Sequence, residues 1–211
     1  MSRNVNLGVL VSGAGTNLQA ILDAISERKL AASVRLVVSN KPGVLALERA
    51  HEARVPTKVV SHRDYADREA FDGALVEALV GAGVDWVVLA GFMRLLTGKL
   101  LRAFPNRVLN IHPSLLPAFP GVDAQRQAFD YGAKVTGCTV HLVDEGTDTG
   151  PIVAQRAVPV LVDDDVESLT ARILVEEHRL LVEVLAAIAE GRLDVTPGID
   201  GKRTRAHLRR A

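Results

Sequence analysis

The sequence predicts an α/β fold: a Rossmann-like, mostly parallel sheet with helices on both faces and an antiparallel element near the C-terminal half. Two observations predict it. Short, continuously apolar runs alternate with segments whose apolar residues recur every three or four positions, as buried strands alternate with amphipathic helices. Five such runs precede residue 112, and the resulting order βαβαβαβαβ favours parallel strands joined by helical crossovers.

The apolar run 5–11 predicts a strand buried on both faces. Residues 16–28 predict a helix, because Leu18, Ile21 and Leu22 fall on one side of it. In the same way, further strands are predicted at 34–38, 57–60, 86–90 and 108–111, and further helices at 46–53, 67–80 and 98–104.

The pattern changes after residue 111. Residues 112–122 contain three prolines and predict an irregular loop of the kind that is usually functional. Strands are predicted at 136–143 and 152–158, joined by the segment DEGTDTGP and therefore able to run antiparallel. A long helix is predicted at 165–190, and residues 196–211 are predicted to form a loosely ordered basic tail after a single domain at 1–195.

Composition excludes several classes of protein. The chain has 25 basic and 25 acidic residues, and this balance argues against a general nucleic-acid binder. A single cysteine excludes an internal disulfide framework, and the six histidines show no metal-ligand spacing, so no metal is expected. No apolar run is long enough to span a membrane, which favours a cytoplasmic enzyme or ligand-binding protein.

The charge is unevenly distributed. Five basic residues and one acidic residue give the segment 196–211 a charge of +4, so residues 1–195 carry −4. A site for an anion in the body of the protein must therefore be built locally.

The segment Ser12–Asn17, SGAGTN, is a glycine-rich turn from a strand into a helix, where free backbone N–H groups can hold a phosphate. It lacks the lysine of a P-loop and the third glycine of a dinucleotide fingerprint. A simple tight turn with a helix cap remains the alternative. The segment indicates an anion without specifying which one.

Side chains alternate between the two faces of a strand, so Asn110 and His112, two positions apart, project to the same side at its end. There an amide and an imidazole can stabilise an oxyanion and move a proton. Asp148, in the loop DEGTDTGP, is a candidate partner that would orient His112; a hydrogen-bonded loop histidine is the alternative. Glu177 falls on the apolar stripe of the last helix, which indicates either a ligand-facing acid or a stripe edge that reaches solvent.

Several motifs together resemble the phosphoribosylglycinamide formyltransferase family. The resemblance covers residues 5–195 and rests on the segments SGAGTNLQAI, SNKPG with LERA, LAGFMRLL, VLNIHPSLLPAFPG, GCTVHLVDEGTDTGPIVAQ and EEH. The block NIHPSLLP with the downstream aspartate is highly specific for the formyltransferase superfamily. The loop SGxGTN points to the glycinamide ribonucleotide enzyme within it.

The resemblance implies a formyltransferase fold with a phosphate-binding N-terminal half and a folate-binding C-terminal half. It implies transfer of a formyl group from 10-formyltetrahydrofolate to the amine of glycinamide ribonucleotide in purine synthesis. The amine would attack the formyl carbon directly, Asn110 and protonated His112 would stabilise the oxyanion, and Asp148 would hold His112 and relay protons through water.

The other site residues are also implied by matching positions. Gly15, Thr16, Asn17 and Glu177 match substrate-binding residues, and Arg68, Met93, Arg94, Leu95, Leu96, Asn110 and Asp144 match folate-binding ones. The loop from Asp144 to Asp148 matches one that closes on the folate, and Leu116–Pro117 matches a cis peptide bond. The chain departs from many relatives at 122–125, which reads Val-Asp-Ala-Gln where they carry histidines.

Three alternatives remain. A methionyl-tRNA formyltransferase would need a further C-terminal domain, and a 10-formyltetrahydrofolate hydrolase usually has an N-terminal regulatory domain and less need of a phosphate loop. A non-catalytic nucleotide-binding module would keep SGAGTN without using Asn110, His112 and Asp148. We expect small-molecule substrates, no nucleic acid and no membrane, and we keep a homodimer open.

Overall fold

A computed structural model of the protein describes residues 4–199 and 203–210. A seven-stranded sheet forms its centre, in the order β3-β2-β1-β4-β5-β6-β7. The strands are β1 (Val5–Val11), β2 (Ala32–Ser39), β3 (Thr57–Val59), β4 (Trp86–Leu89), β5 (Val108–His112), β6 (Val135–Leu142) and β7 (Ile152–Pro159). The helices are α1 (Thr16–Ser26), α2 (Leu45–Glu52), α3 (Arg68–Gly81), α4 (Gly98–Ala103), α5 (Ala124–Tyr131) and α6 (Val166–Ala189).

The predicted topology is confirmed. Strands β1 to β5 pair in parallel, β6 pairs antiparallel with β5, and β7 pairs antiparallel with β6. Because helical crossovers return each of the first five strands to the same edge, the loops that follow β1, β2, β4 and β5 come together at the carboxyl ends of these strands.

Helices cover both faces of the sheet, as predicted. The apolar side chains of α1, α2 and α6 pack on one face, and those of α3 and α4 pack on the other. Successive side chains of β1 point to opposite faces of the sheet. Val9 and Val11 pack in the core beneath α1, α2 and α6, and Leu10 packs in the core beneath α3 and α4. The sheet is therefore a rigid support whose loops can position side chains.

The later chain contains one element that was not predicted and one prediction that is wrong. Helix α5 lies between the predicted loop at 112–122 and the predicted strand at 136–143, where no element was predicted. Its sequence hides it because the residues that it buries, Ala124 and Ala128, are small. The expectation of loose order after residue 195 fails at β9 (Arg205–Leu208), which pairs antiparallel with β8 (Leu193–Thr196) and buries Ala206 against the core. Residues 200–202 and 211 of the predicted tail lie outside the described residues.

The remaining differences are small. Helix α1 ends at Ser26 rather than at residue 28, because the backbone of Arg28 is left-handed, with φ of 59°. A short 3-10 turn at His62–Asp64 precedes α3. Within the residues that the structure describes, none of the helices is long and apolar enough to cross a membrane.

Candidate active site

A cavity of about 800 Å³ opens at the carboxyl ends of β4 and β5. Its lining comes from four segments, within 89–96, 110–113, 121–125 and 141–148. A volume of this size is typical of small-molecule sites, as is the position beyond the carboxyl ends of parallel strands. The loop after β1 adjoins the cavity, because Ser12 Oγ accepts a hydrogen bond of 2.9 Å from the N–H of Met93.

The three residues predicted to be catalytic meet at this cavity. Asn110 and His112 project from the carboxyl end of β5, and Asp148 reaches them from the β6–β7 connection. His112 Nδ1 lies 3.4 Å from Asp148 Oδ2, and Asn110 Nδ2 lies 3.4 Å from Asp148 Oδ1. The other ring nitrogen of His112, Nε2, lies 2.9 Å from the carbonyl oxygen of Phe119, so both nitrogens face oxygen acceptors.

Asp148 is held as a carboxylate. Burial alone would raise its pKa, but the nearby His141 ring, a hydrogen bond from the Gly121 N–H and the nearby charge of His112 lower the pKa below its usual range. The bond from Gly121 to Asp148 Oδ2 measures 2.8 Å. Asp148 also has a left-handed backbone, with φ of 54°, a conformation that aspartate tolerates better than most residues. A charged acid next to His112 fixes the orientation of that ring.

His141 is a residue of the site that the sequence reasoning missed. Its Nε2 lies 3.1 Å from Asn110 Nδ2 and 3.6 Å from Asp148 Oδ1, and its Nδ1 lies 2.9 Å from the Leu142 carbonyl oxygen. A polar residue within the apolar run of β6 was the available signal. The register that places His141 opposite Asn110 is a tertiary feature, and no local pattern predicts it.

The predicted phosphate loop lies at the start of α1, and Gly15 is its N-cap with φ of 71°. A Cβ built on Gly15 would stand 2.5 Å from Ala46 Cβ. Glycine is therefore required here by backbone conformation and by packing against α2, rather than by the approach of a ligand. Thr16 and Asn17 form the first turn of the helix.

Glu177 joins this loop from the other end of the chain. Asn17 Nδ2 donates a hydrogen bond of 2.8 Å to Glu177 Oε2, and Glu177 is buried, so the alternative of a solvent-exposed stripe edge is wrong. Burial raises the pKa of Glu177, while the bond from Asn17 opposes that rise.

The wall formed by 91–96 presents Met93 and Leu95 as exposed apolar side chains, with Arg94 between them and Leu96 buried. Asp144 lies across the cavity, where its Oδ1 accepts bonds from Gly146 N–H at 3.1 Å and Thr149 Oγ1 at 2.7 Å.

Arg68 is the predicted folate contact that falls outside the cavity lining. It is exposed at the first residue of α3, and its role stays a prediction. Among residues 4–199 and 203–210, no cluster of His, Cys, Asp and Glu could hold a metal ion.

A model of the family described as Formyl transferase matches residues 5–185. The chain belongs to this family.

Three relatives illustrate the similarity to other members of the formyl transferase family. The chain is 41% identical over 202 residues to the phosphoribosylglycinamide formyltransferase of Escherichia coli, which covers 94% of this chain and 95% of that protein. It matches the crystal structure of glycinamide ribonucleotide transformylase 1 from Symbiobacterium toebii with a TM-score of 0.89 and 54% identity, covering 96% and 93% of the two chains. It is 48% identical over 202 residues, 95% of this chain, to the trifunctional purine biosynthetic protein adenosine-3 of Drosophila melanogaster.

The chain spans between 14% and 20% of the length of the trifunctional relatives that it matches. The resemblance inferred from the motifs and the formyltransferase fold are confirmed. The roles of individual site residues stay predictions.

Two further features of this member of the formyl transferase family bear on the cavity. The Leu116–Pro117 peptide is cis, as the resemblance implied. The departing segment at 122–125 supplies Val122, Asp123 and Gln125 to the cavity lining, so its side chains occur where a ligand would meet them.

A buried acid that sequence reasoning missed anchors the wall. The carboxylate of Asp72, on α3, accepts a hydrogen bond of 2.8 Å from Thr97 Oγ1 and another from the Thr97 N–H. Phe71 stacks on Phe92 with ring centroids 6.5 Å apart. Helix α3 thus fixes both ends of the segment that presents Met93 and Leu95.

Proposed function

We propose that this chain transfers the formyl group of 10-formyltetrahydrofolate to the amine of glycinamide ribonucleotide, as a step of purine synthesis. The observation that supports it most is the convergence of Asn110, His112 and Asp148 in one cavity beside an apolar wall. Met93 and Leu95 offer that wall to the flat pterin of the donor. The phosphate loop, Gly15 to Asn17, and the acid of Glu177 are proposed to hold the substrate phosphate and ribose.

The chemistry needs no covalent enzyme intermediate. The substrate amine attacks the formyl carbon, a C–N bond forms, and the carbonyl electrons move onto oxygen. Collapse of this tetrahedral species breaks the bond to N10 of the folate, and the proton lost by the amine is delivered to that nitrogen. The product is a formamide, and tetrahydrofolate leaves.

The side chains have distinct roles in this proposal. Asn110 Nδ2 and the ring of His112 donate to the developing oxyanion, exchanging the protein acceptors that they face in this structure for the formyl oxygen. Asp148, whose pKa is lowered, is ionised in the resting state, orients His112 and relays protons through water. His141 holds Asn110 Nδ2 at 3.1 Å.

One assay separates this proposal from its alternatives. The purified chain is incubated with glycinamide ribonucleotide and 10-formyltetrahydrofolate, and formylated amine, free formate and tetrahydrofolate are quantified. We expect formylated amine and tetrahydrofolate in equal amounts. Formate released without amine formylation would identify a hydrolase instead, and binding of ribonucleotide without turnover would identify a nucleotide-binding module.

Location and assembly form the last part of the proposal. We place the enzyme in the cytoplasm and propose a homodimer as its state in solution. Light scattering after size-exclusion chromatography checks the second point, since the mass of a monomer is 22.6 kDa.

A further inference from the structure

We propose that Arg49 is a positioning residue for the phosphate loop, which it holds so that backbone N–H groups face the substrate phosphate. This inference rests on the proposed function and adds a residue to its phosphate site. Arg49 lies on α2, outside the loop itself.

Helix α2 binds two carbonyl groups of the loop. Arg49 Nε donates a hydrogen bond of 2.9 Å to the Ala14 carbonyl oxygen, and the N–H of Ala46 donates one of 3.1 Å to the Gly13 carbonyl oxygen. Arg49 is braced from α1, because its Nη1 donates a hydrogen bond of 3.1 Å to Gln19 Oε1. The guanidinium therefore joins the loop, α1 and α2.

The direction of the loop amides follows from these bonds. A trans peptide unit is planar, and its C=O and N–H point in opposite directions. Because α2 takes the carbonyls of Gly13 and Ala14, the N–H groups of Ala14 and Gly15 point away from α2. Among the described residues, no protein acceptor bonds the N–H groups of 14–18, and α1 has no side-chain cap. These donors are available to an anion.

A buried side-chain oxygen beside these N–H groups also points to a ligand. Asn17 is only 8% exposed, and its Oδ1 is buried and has no hydrogen-bond partner in the described part of the chain. Its Nδ2 is already bound to Glu177. A buried polar atom left without a partner is costly, which favours a bound group that supplies a donor, such as a ribose hydroxyl.

Charge supports the same role. Arg49 is half-buried, and none of the ion pairs among residues 4–199 and 203–210 includes it. A charged donor on the Ala14 carbonyl also polarises that peptide and strengthens its N–H as a donor. In a body of charge −4, Arg49 supplies the local positive potential that a phosphate dianion needs.

The test replaces Arg49 by Met, which keeps the apolar stem but removes the charge and the donors, and by Lys, which keeps the charge but lacks the planar fork that reaches both Ala14 and Gln19. We expect R49M to raise the KM for glycinamide ribonucleotide by about tenfold or more, the loss that accompanies one charge-assisted hydrogen bond. The kcat and the KM for 10-formyltetrahydrofolate should stay near wild type. R49K should recover part of the loss.

Binding of inorganic phosphate separates this inference from the proposed function, because it needs no turnover. In titrations followed by amide NMR, phosphate should shift the Gly15 N–H of the wild type, and R49M should weaken that binding in proportion to its rise in KM. R107M is the matched control, because Arg107 is exposed at the amino end of β5, the opposite edge of the sheet. It should behave as wild type.

The inference is overturned if phosphate does not bind the wild type at this loop, or if R49M binds phosphate normally. It is equally overturned if R49M lowers kcat and leaves the KM for the ribonucleotide unchanged. Should R49M fail to fold, Gln19→Leu removes only the brace on the guanidinium, and we then expect a smaller rise in the same KM. An unchanged KM in that variant counts against the role.

Discussion

Two acids, the buried Glu177 and the half-buried Asp148, lie in different regions of the candidate site, and their environments shift their pKa values in opposite directions. Burial raises the pKa of Glu177, which accepts one hydrogen bond, from Asn17. Asp148 is half-buried, yet the nearby His141 ring, a hydrogen bond from the Gly121 N–H and the charge of His112 lower its pKa. The direction of the pKa shift of a carboxyl group therefore depends on the balance between its burial and the donors and positive charges around it.

The two regions also differ in whether backbone or side-chain groups face the ligand. The proposed phosphate loop offers backbone N–H groups whose direction is set by carbonyl contacts to α2. The proposed catalytic region is built from side chains of β5, β6 and a loop. We expect replacement of side chains to affect mainly kcat in the second region, and changes in the backbone or its supports to affect mainly substrate binding in the first.

The largest expected effect is the loss of catalysis in the second region. H112A and D148N should each lower kcat by about 10²–10⁴-fold, as is usual for lost acid–base groups, with little change in the KM for the ribonucleotide. Asparagine tolerates the left-handed backbone at 148, so D148N tests charge rather than folding. Steady-state kinetics with both substrates varied give the result.

E177Q is the matched control from the first region and should raise the KM for the ribonucleotide more than it lowers kcat. If either catalytic-region variant kept near-normal turnover, the assignment of roles there would be wrong.

The next effect concerns the backbone of the first region. G15A should lower the free energy of unfolding by about 2–4 kcal/mol, because it adds left-handed strain and overpacking against Ala46. Urea denaturation measures this. G13A is the control in the same loop, since a Cβ there meets nothing within 4 Å, and it should stay within about 0.5 kcal/mol of wild type.

Relief of the overpacking gives a further check. Ala46→Gly combined with G15A should recover part of the lost stability. Equal destabilisation by G13A and G15A would contradict the view that this loop is held by α2.

Much of this architecture was predictable from sequence because it follows from periodicity. The parallel strands appear as apolar runs, and alternation along β5 placed Asn110 and His112 on one side. Glu177 was visible as an acid on an apolar stripe. These are local signals, and each reports burial of a face that the fold must satisfy.

For the residues that were missed, no local pattern identifies the partner. His141 reaches Asn110 through the pairing register of two strands, and Arg49 reaches Ala14 from a separate helix. Asp72 is buried because Thr97 satisfies one of its oxygens from a different segment. In each case the partner is distant in sequence, so the contact of the polar residue cannot be predicted without the fold.

The smallest expected effect, on the pH dependence of stability, compares the two acids directly. A raised pKa in the folded state means that Glu177 binds its proton more tightly when folded, so its contribution falls as pH rises above its ordinary value of 4.5. E177Q should therefore gain stability relative to wild type as pH rises from 4.5 through the raised pKa of the folded state.

The lowered pKa of Asp148 has the opposite effect on stability. The contribution of Asp148 is present above the ordinary pKa of 3.8 and is lost as pH falls through the lower pKa of the folded state. D148N should therefore be less stable than wild type near neutral pH, and the difference should close in acid. Urea denaturation of both variants and wild type at several pH values measures these slopes, and slopes of the same sign would show that burial alone governs both acids.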